Sequence, residues 1–301
     1  MSKVMVWHGE LAPHRRLVSR GLLFLLPGML WLLAFLVFPG LVLIAVSFAS
    51  RGAYGQLEWT FTLENYGRLL GFGLFGWSAD YLLVLWRSVW VAFVTTLVAV
   101  VLSYPLAFFI ATRPPRTRYF WLTLVIVPFW TNLVIRTYAW MLVFAPELPP
   151  ARLAAALHLI PPGTALYPSA FAVYVGMVST FLPFVVLPLY TTAERLDRSL
   201  VEAAQDLYAS RVRVFTQAIL PQTVPGLSVG VILSFIPAMG MFVVPDLLGG
   251  AKYLLVGNLI QQQFGPSRDW PFGAAISLGF MVLTLVALYA YRRQGRGVEI
   301  V

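Results

Sequence analysis

The sequence predicts an all-α polytopic membrane protein with six transmembrane helices, and three observations carry that reading. First, 59% of the 301 residues are hydrophobic and only 11% are charged. Soluble domains average about 25% charged residues, so this chain lacks the polar groups to cover a globular surface. Second, apolar runs recur along it, and about 20 residues at 1.5 Å per residue suffice to cross the hydrocarbon layer. Third, the basic residues sit in short segments between those runs and favour one side of the membrane.

The first uncharged run covers 21–49 and follows Lys3, Arg15, Arg16 and Arg20. A secretory signal has an apolar core of only about 7–15 residues, so this run reads as an uncleaved first span. Residues 1–20 form a cytoplasmic N-terminal segment before it. A polar, glycine- and aromatic-rich loop over 50–86 leads to a second span, about Ser88 to Thr112. The turn Arg113-Pro114-Pro115-Arg116-Thr117-Arg118 opens a third span, about Tyr119 to Phe144, interrupted by Arg136. The loop 145–168 is proline-rich and carries a short helix over Ala151 to Leu159 outside the membrane. The fourth span runs from about Ser169 to Thr192, with Pro183 and Pro188 as kink points. A polar loop over 194–222 precedes the fifth span, about Val224 to Pro245. A further polar loop, Asp246 to Pro271, leads to the sixth span, Phe272 to Tyr291. Residues 21–291 thus make a single transmembrane domain, and 292–301 a cytoplasmic tail.

Orientation follows from the basic residues. With the N-terminus inside, the cytoplasmic segments hold 14 of them and the outer segments 6, with Arg136 inside a span. Both termini and the 194–222 loop are then cytoplasmic.

Several functions are excluded on composition. The formal charge of +9 does not indicate nucleic acid, because the basic residues are spread among loops rather than gathered on a soluble face. Without cysteine there is no thiolate metal site or disulfide. His8, His14 and His158 are scattered and lie outside the spans, so no histidine-paired metal site is expected. Gly249-Gly250-Ala251-Lys252 lacks the spacing and hydroxyl of a phosphate loop. If ATP powers this protein, another chain binds it.

The polar stretch Ser199–Gln222 stands apart. Leu196, Leu200, Ala203 and Leu207 recur on one helical face, with Glu202 and Asp206 on another. Ser199 followed by Glu202 fits a capping box, so a helix should begin near Leu200. A second should begin after Ser210 and carry Val212, Phe215 and Ile219. The residues alone leave two readings, a docking element or a helix lying on the lipid surface.

Glu202-Ala203-Ala204, Asp206-Leu207, Ala209-Ser210 and Ile219-Leu220-Pro221 resemble the EAA loop of binding-protein-dependent ABC importer permeases. The resemblance implies a type I importer permease fold with cytoplasmic coupling helices that insert into a partner ATPase. Glu202, Ala203, Ala204, Asp206, Leu207, Ala209 and Ser210 would form that contact, the acid facing the ATPase and the alanines permitting close approach. Where the family's loop has glycine, this chain has Tyr208. A left-handed tyrosine costs roughly 1–2 kcal/mol, so Tyr208 is expected to avoid positive φ and shift the turn to Ala209-Ser210.

Four further strings are similar to the spermidine/putrescine permeases: Pro128 to Trp140, Pro237 to Gly250, Gly257 to Ile260, and Arg268 to Ala275. They imply a polyamine substrate, a second permease subunit, an extracytoplasmic substrate-binding protein and a pair of ATPase subunits. They imply no cofactor in this chain, ATP and Mg being on the ATPase, and no bond chemistry of its own. A polyamine is a flexible polycation, suited to carboxylates at its ends and aromatic faces along its stem. No span carries Asp or Glu near its centre; Asp80, Glu147, Asp246 and Asp269 lie at the outer mouths. An acid-to-aromatic route would then involve Trp130, Tyr138, Trp140 and Phe242, unless these rings form lipid-facing belts.

In the third span Asn132, Arg136 and Trp140 align as a polar stripe that should face the bundle. Arg136 would repel a cation, and is expected to reach the outer interface or pair with an acid such as Glu147. In the fifth span, Pro237 and Gly240 suggest a broken helix, so Pro237 to Asp246 is expected to line the pathway. The alternatives are a permease for another small solute and an ion-coupled secondary transporter. The spans' lack of acids argues against the latter, and also against an intramembrane enzyme.

Overall fold

The structure is a computed structural model and describes residues 24–73, 76–250 and 253–294. The N-terminal segment 1–20, Lys252 and the tail beyond 294 lie outside the described residues. Five helices are long and apolar enough to cross a membrane: α1 (Phe24–Ser47), α3 (Asp80–Ala111), α7 (Ala170–Glu194), α9 (Arg211–Met239) and α12 (Trp270–Gln294). A bent pair, α4 (Pro115–Trp130) and α5 (Leu133–Val143), whose axes differ by 98°, is apolar enough to make a sixth when taken together. The short helices are α2 (Glu64–Leu69), α6 (Pro149–Ala156), α8 (Arg198–Asp206), α10 (Val243–Gly249) and α11 (Val256–Phe264). Two hairpins of two-residue strands in the loop between α1 and α3 are the only departures from helix among the regular elements described, pairing Ser50–Arg51 with Leu57–Glu58 and Phe72–Gly73 with Gly76–Trp77.

Three helices, α3, α7 and α9, make the centre of the bundle. Lipid supplies no hydrophobic drive between helices, so close packing has to hold them, and small residues make it possible. On α3, Ala92, Ala99, Ser103 and Ala107 are fully buried on one face. On α9, Gly226 and Gly230 are spaced as a small-xxx-small pair. A Cβ at Gly226 would lie 2.4 Å from the Pro188 carbonyl oxygen of α7, so no larger residue fits. Hydroxyl pairs add polar cross-links, Thr96 to Ser234 at 3.2 Å and Tyr104 to Thr223 at 3.1 Å. Such contacts are worth about 1 kcal/mol each in a membrane.

α12 packs on α1, α2 and α11 and fixes the loop between α1 and α3 to the bundle. Arg68 of α2 donates to Asp269 at 3.0 Å and lies over the Phe272 ring, 4.0 Å from its centroid. Asp269 also accepts from the Phe272 amide at 3.3 Å, capping α12. Asp269 was expected at an open mouth; it is 2% exposed and its charge is occupied by Arg68. Arg68→Ala would leave that carboxylate buried and unpaired, and should destabilise the protein by about 3–5 kcal/mol. A drop in the thermal midpoint of the purified protein in detergent would register it.

Two spans differ from their expected limits for identifiable reasons. α3 starts at Asp80 rather than Ser88, because Asp80 supplies an acid in the first turn, favourable to the helix dipole. The helix expected after Ser210 and the fifth span are one continuous helix, joined through a π segment at Val214–Ile219.

Candidate functional site: the docking loop and two broken spans

At the end of the bundle where α3, α7 and α9 meet the polar loop, α8 is capped by Asp197 and not by the expected Ser199–Glu202 box. The Asp197 carboxylate accepts from the Ser199 hydroxyl at 2.7 Å and the Ser199 amide at 2.9 Å. Asp is as good an N-cap as Ser and sits two residues earlier, so it starts the helix at Arg198. These bonds, the hydroxyl first, hold the Asp197 carboxyl below its ordinary value. The capped state is therefore complete at neutral pH and is lost only as pH falls below the usual carboxylate range, about 3.9. Glu202 is left free and exposed.

The expected apolar face of α8 does not pack on its own chain. Leu200 is 51% exposed and Leu207 81%, and Ala203 is exposed as well. Val201 and Ala204 are the half-buried positions instead, as α8 rests against the π segment of α9. Glu202, Ala203, Asp206 and Leu207 thus stand together on an open surface; Ala209 is half-buried, and Ser210 caps α9 by accepting from the Arg213 amide.

Tyr208 is left-handed, with φ of +56°, contrary to expectation. The geometry explains why the turn stays here. The Ala209 amide donates to the Ala204 carbonyl at 3.1 Å and the Tyr208 amide to Gln205 at 2.9 Å. That is the pairing of a Schellman cap, which needs a left-handed residue just past the helix. Two satisfied carbonyls offset the steric cost of the side chain. The Tyr208 ring is 97% exposed. Tyr208→Gly should stabilise the turn by about 1 kcal/mol, seen as a raised thermal midpoint, while removing a ring from the open surface.

The loop is also tied to α9. The Asp197 amide donates to Gln222 Oε1 at 2.8 Å, and Gln222 Nε2 to the Ala218 carbonyl at 2.7 Å.

The first broken span lies between α4 and α5. Thr131 and Asn132 are extended, and the Asn132 side chain accepts from the Val134 amide at 2.8 Å to start α5. The expected continuous third span fails here because Asn132 is a cap. Arg136 donates to the Pro128 carbonyl at 2.9 Å and lies 3.4 Å from Thr180 Oγ1 of α7. Thr131 donates to the same carbonyl at 2.6 Å. Arg136 therefore binds a main-chain carbonyl and forms no ion pair with Glu147. It occupies the carbonyl end of α4, where the helix dipole favours a cation. Trp140 Nε1 donates to Ser179 Oγ at 2.9 Å, so Arg136 and Trp140 face the bundle as expected. Tyr138 is 51% exposed and Trp130 82%.

The second break, Gly240 to Phe242, divides the expected fifth span into α9 and α10. The Pro237–Gly240 signal is borne out as a helix break. Its free carbonyls are met by α11. Asn258 Nδ2 donates to the Phe242 carbonyl at 3.0 Å. A Cβ on Gly257 would lie 2.4 Å from the Gly240 carbonyl oxygen, so only glycine lets α11 approach this closely. Ser88 Oγ accepts from the Val256 amide at 2.8 Å, holding α11 to α3. Pro237, Phe242 and Asp246 are exposed on one run of chain, with Asp246 in the first turn of α10.

Several of these residues lay outside the sequence-based set. Asp197 could have been found from the preference for aspartate ahead of a helix. Asn258 and Gly257 sat in a quoted string without a role. Thr180, Ser179 and Gln222 carried no local signal, since their partners are distant in sequence.

The described residues thus combine an exposed acidic and apolar loop surface with a helix bundle that is broken at two points. The chain belongs to the family of binding-protein-dependent transport system inner membrane components, whose model matches residues 103–300. It is 41% identical over 266 residues to the spermidine/putrescine transport system permease protein PotB of Escherichia coli (strain K12), covering 88% of this chain and 94% of that one. The corresponding protein of Haemophilus influenzae is 38% identical over 88% of this chain and 91% of its own. A bacterial ABC transporter involved in the import of the acidic polysaccharide alginate has a similar fold, with a TM-score of 0.64 at 14% identity over 96% of this chain and 100% of that one. This chain is thus a multi-pass inner-membrane permease component of a binding-protein-dependent importer.

Proposed function

We propose that the chain forms half of the translocation pathway of an ATP-driven importer for polyamines of the spermidine/putrescine class. The observation that carries the substrate is the 41% identity to a spermidine/putrescine permease across 88% of the chain. The chemistry is compatible: a polycation would pass aromatic and carbonyl groups, since no acid sits in mid-span. Pro237, Phe242 and Asp246, together with Trp130, Asn132, Tyr138 and Trp140, are the pathway residues. Phe242 and Asp246 stand exposed where a cation would meet a ring and then a carboxylate.

The partners are a second permease subunit, two ATPase subunits that hold ATP and Mg, and an extracytoplasmic binding protein that delivers the solute. Both termini and the 194–222 loop face the cytoplasm, on the strength of the basic-residue bias. The exposed faces of Glu202, Ala203 and Leu207 receive the ATPase. The test is to purify the binding protein encoded with this chain and identify its bound solute by mass spectrometry. Spermidine or putrescine is expected; an anion or a sugar would overturn the substrate. A Phe242→Ala, Asp246→Asn double variant should then raise the KM for spermidine uptake about tenfold, and unchanged uptake would remove these residues from the pathway.

A further inference from the structure

At the docking-loop end, one side chain joins three transmembrane elements. Arg118 lies in the first turn of α4. Its Nη1 is paired with Glu194, the last residue of α7. Its Nη2 donates to the Ala111 carbonyl at the end of α3, at 3.2 Å, and to the Arg113 carbonyl, at 3.3 Å. Guanidinium geometry suits this task, since the planar fork presents several donors at fixed angles. Two other arginines of the same turn, Arg113 and Arg116, form no ion pair among the described residues.

The position of the pair matters more than its strength. Glu194 is three residues ahead of Asp197, the cap of the docking helix α8. Asp197 is in turn tied to Gln222 on α9. At the far end of α4, Arg136 holds the Pro128 carbonyl and lies against Thr180 of α7. α4 therefore contacts α7 through an arginine at each end, and one of those ends is the break at Thr131-Asn132.

We infer that Arg118 and Glu194 are positioning residues that make α4 and α7 move as one body, so that displacement of the docking helix reaches the broken span. This rests on the proposed docking of an ATPase at α8. When α8 shifts, Glu194 carries Arg118, Arg118 carries α4, and the bend at Thr131-Asn132 takes up the change. Without the pair, Trp121, Leu122 and Val125 still pack α4 on α7, but no charged tie remains at the docking-loop end and α4 follows α7 less closely there. The ATPase would still dock, and ATP would still be hydrolysed, but less solute would cross per ATP.

The chain has no cysteine, which makes the test direct. The complete importer is reconstituted in proteoliposomes, and spermidine uptake is measured together with ATP hydrolysis for the unmodified chain, Glu194→Gln, Arg118→Cys, Glu194→Cys and the Arg118→Cys, Glu194→Cys pair. Copurification of the ATPase shows that each variant has folded and docked. Every variant should transport about tenfold less spermidine per ATP, within the usual range of coupling free energies. Joining the two cysteines with a short bifunctional thiol linker should restore transport, while the single-cysteine variants treated alike should not recover. Unchanged transport per ATP in Glu194→Gln and both single variants would overturn the inference, as would a linker that leaves transport lost. If the unmodified chain takes up no spermidine with ATP, the proposed function fails instead.

Discussion

Gly257→Val should all but abolish transport. A Cβ alone at this position would lie 2.4 Å from the Gly240 carbonyl oxygen and 3.0 Å from its carbon, and both neighbours are backbone. Neither side can yield by turning a rotamer, so α11 must withdraw from the break. Withdrawal also pulls Asn258 from the Phe242 carbonyl, leaving a main-chain acceptor with less support where water is scarce. Overpacking of this kind costs about 1–3 kcal/mol, and the lost side-chain bond adds about 1 kcal/mol more. Solute uptake in cells should fall at least about tenfold, with a lower thermal midpoint for the purified chain. Asn258→Ala isolates the second effect and should give a smaller loss. Wild-type uptake by Gly257→Val would mean that α11 is not held against the break.

The second large effect is expected at the docking surface. Glu202→Arg combined with Leu207→Asp reverses one charge and places another on the apolar face. Both residues are exposed, Leu207 to 81%, so the fold should be kept and the thermal midpoint little changed. The partner would meet a like charge or a desolvated carboxylate, and truncated or mismatched hot-spot residues cost at least about 2 kcal/mol. ATPase copurification should drop more than about tenfold. Retention of the ATPase at wild-type levels would favour a helix resting on the lipid surface. A double variant that no longer inserts in the membrane would instead show that the exposed residues have a structural role.

How much of this was legible in the sequence depends on the range of the interaction. The spans were legible, because backbone facing lipid must satisfy its own hydrogen bonds and the long apolar runs report such helices. Their interruptions were half legible. Pro237 and Gly240 announced the second break, since a proline and a glycine one turn apart together weaken the helix there. The first break was hidden because Asn132 looks like one member of a polar stripe, and becomes a cap only once the chain bends at Thr131. Arg136 was read from its charge, whereas its position at the end of α4 gives it a carbonyl to bind. Tyr208 shows the opposite error. The local preference was weighed correctly, but the two carbonyl bonds that close the turn outweigh it. The 198–206 helix was legible as amphipathic, but not which of its sides rests on its own chain. The half-buried side is Val201 and Ala204, and Leu200, Ala203 and Leu207 are exposed.

The ion pairs follow the same pattern. Asp269 reads as an acid at a loop end, and nothing nearby in sequence tells of Arg68, which arrives from another helix. Arg118 and Glu194 are likewise distant in sequence and meet only because α4 returns beside α7. Such contacts are set by topology, so they become visible when the helices are placed.

The measurement that bears most directly on the whole account is uptake by proteoliposomes containing this chain, the second permease and the ATPase, with binding protein outside and no ion gradient. Labelled spermidine should accumulate only when ATP is enclosed, and unlabelled putrescine should compete. Accumulation driven by an imposed sodium or proton gradient without ATP would contradict the account and place the chain among ion-coupled transporters.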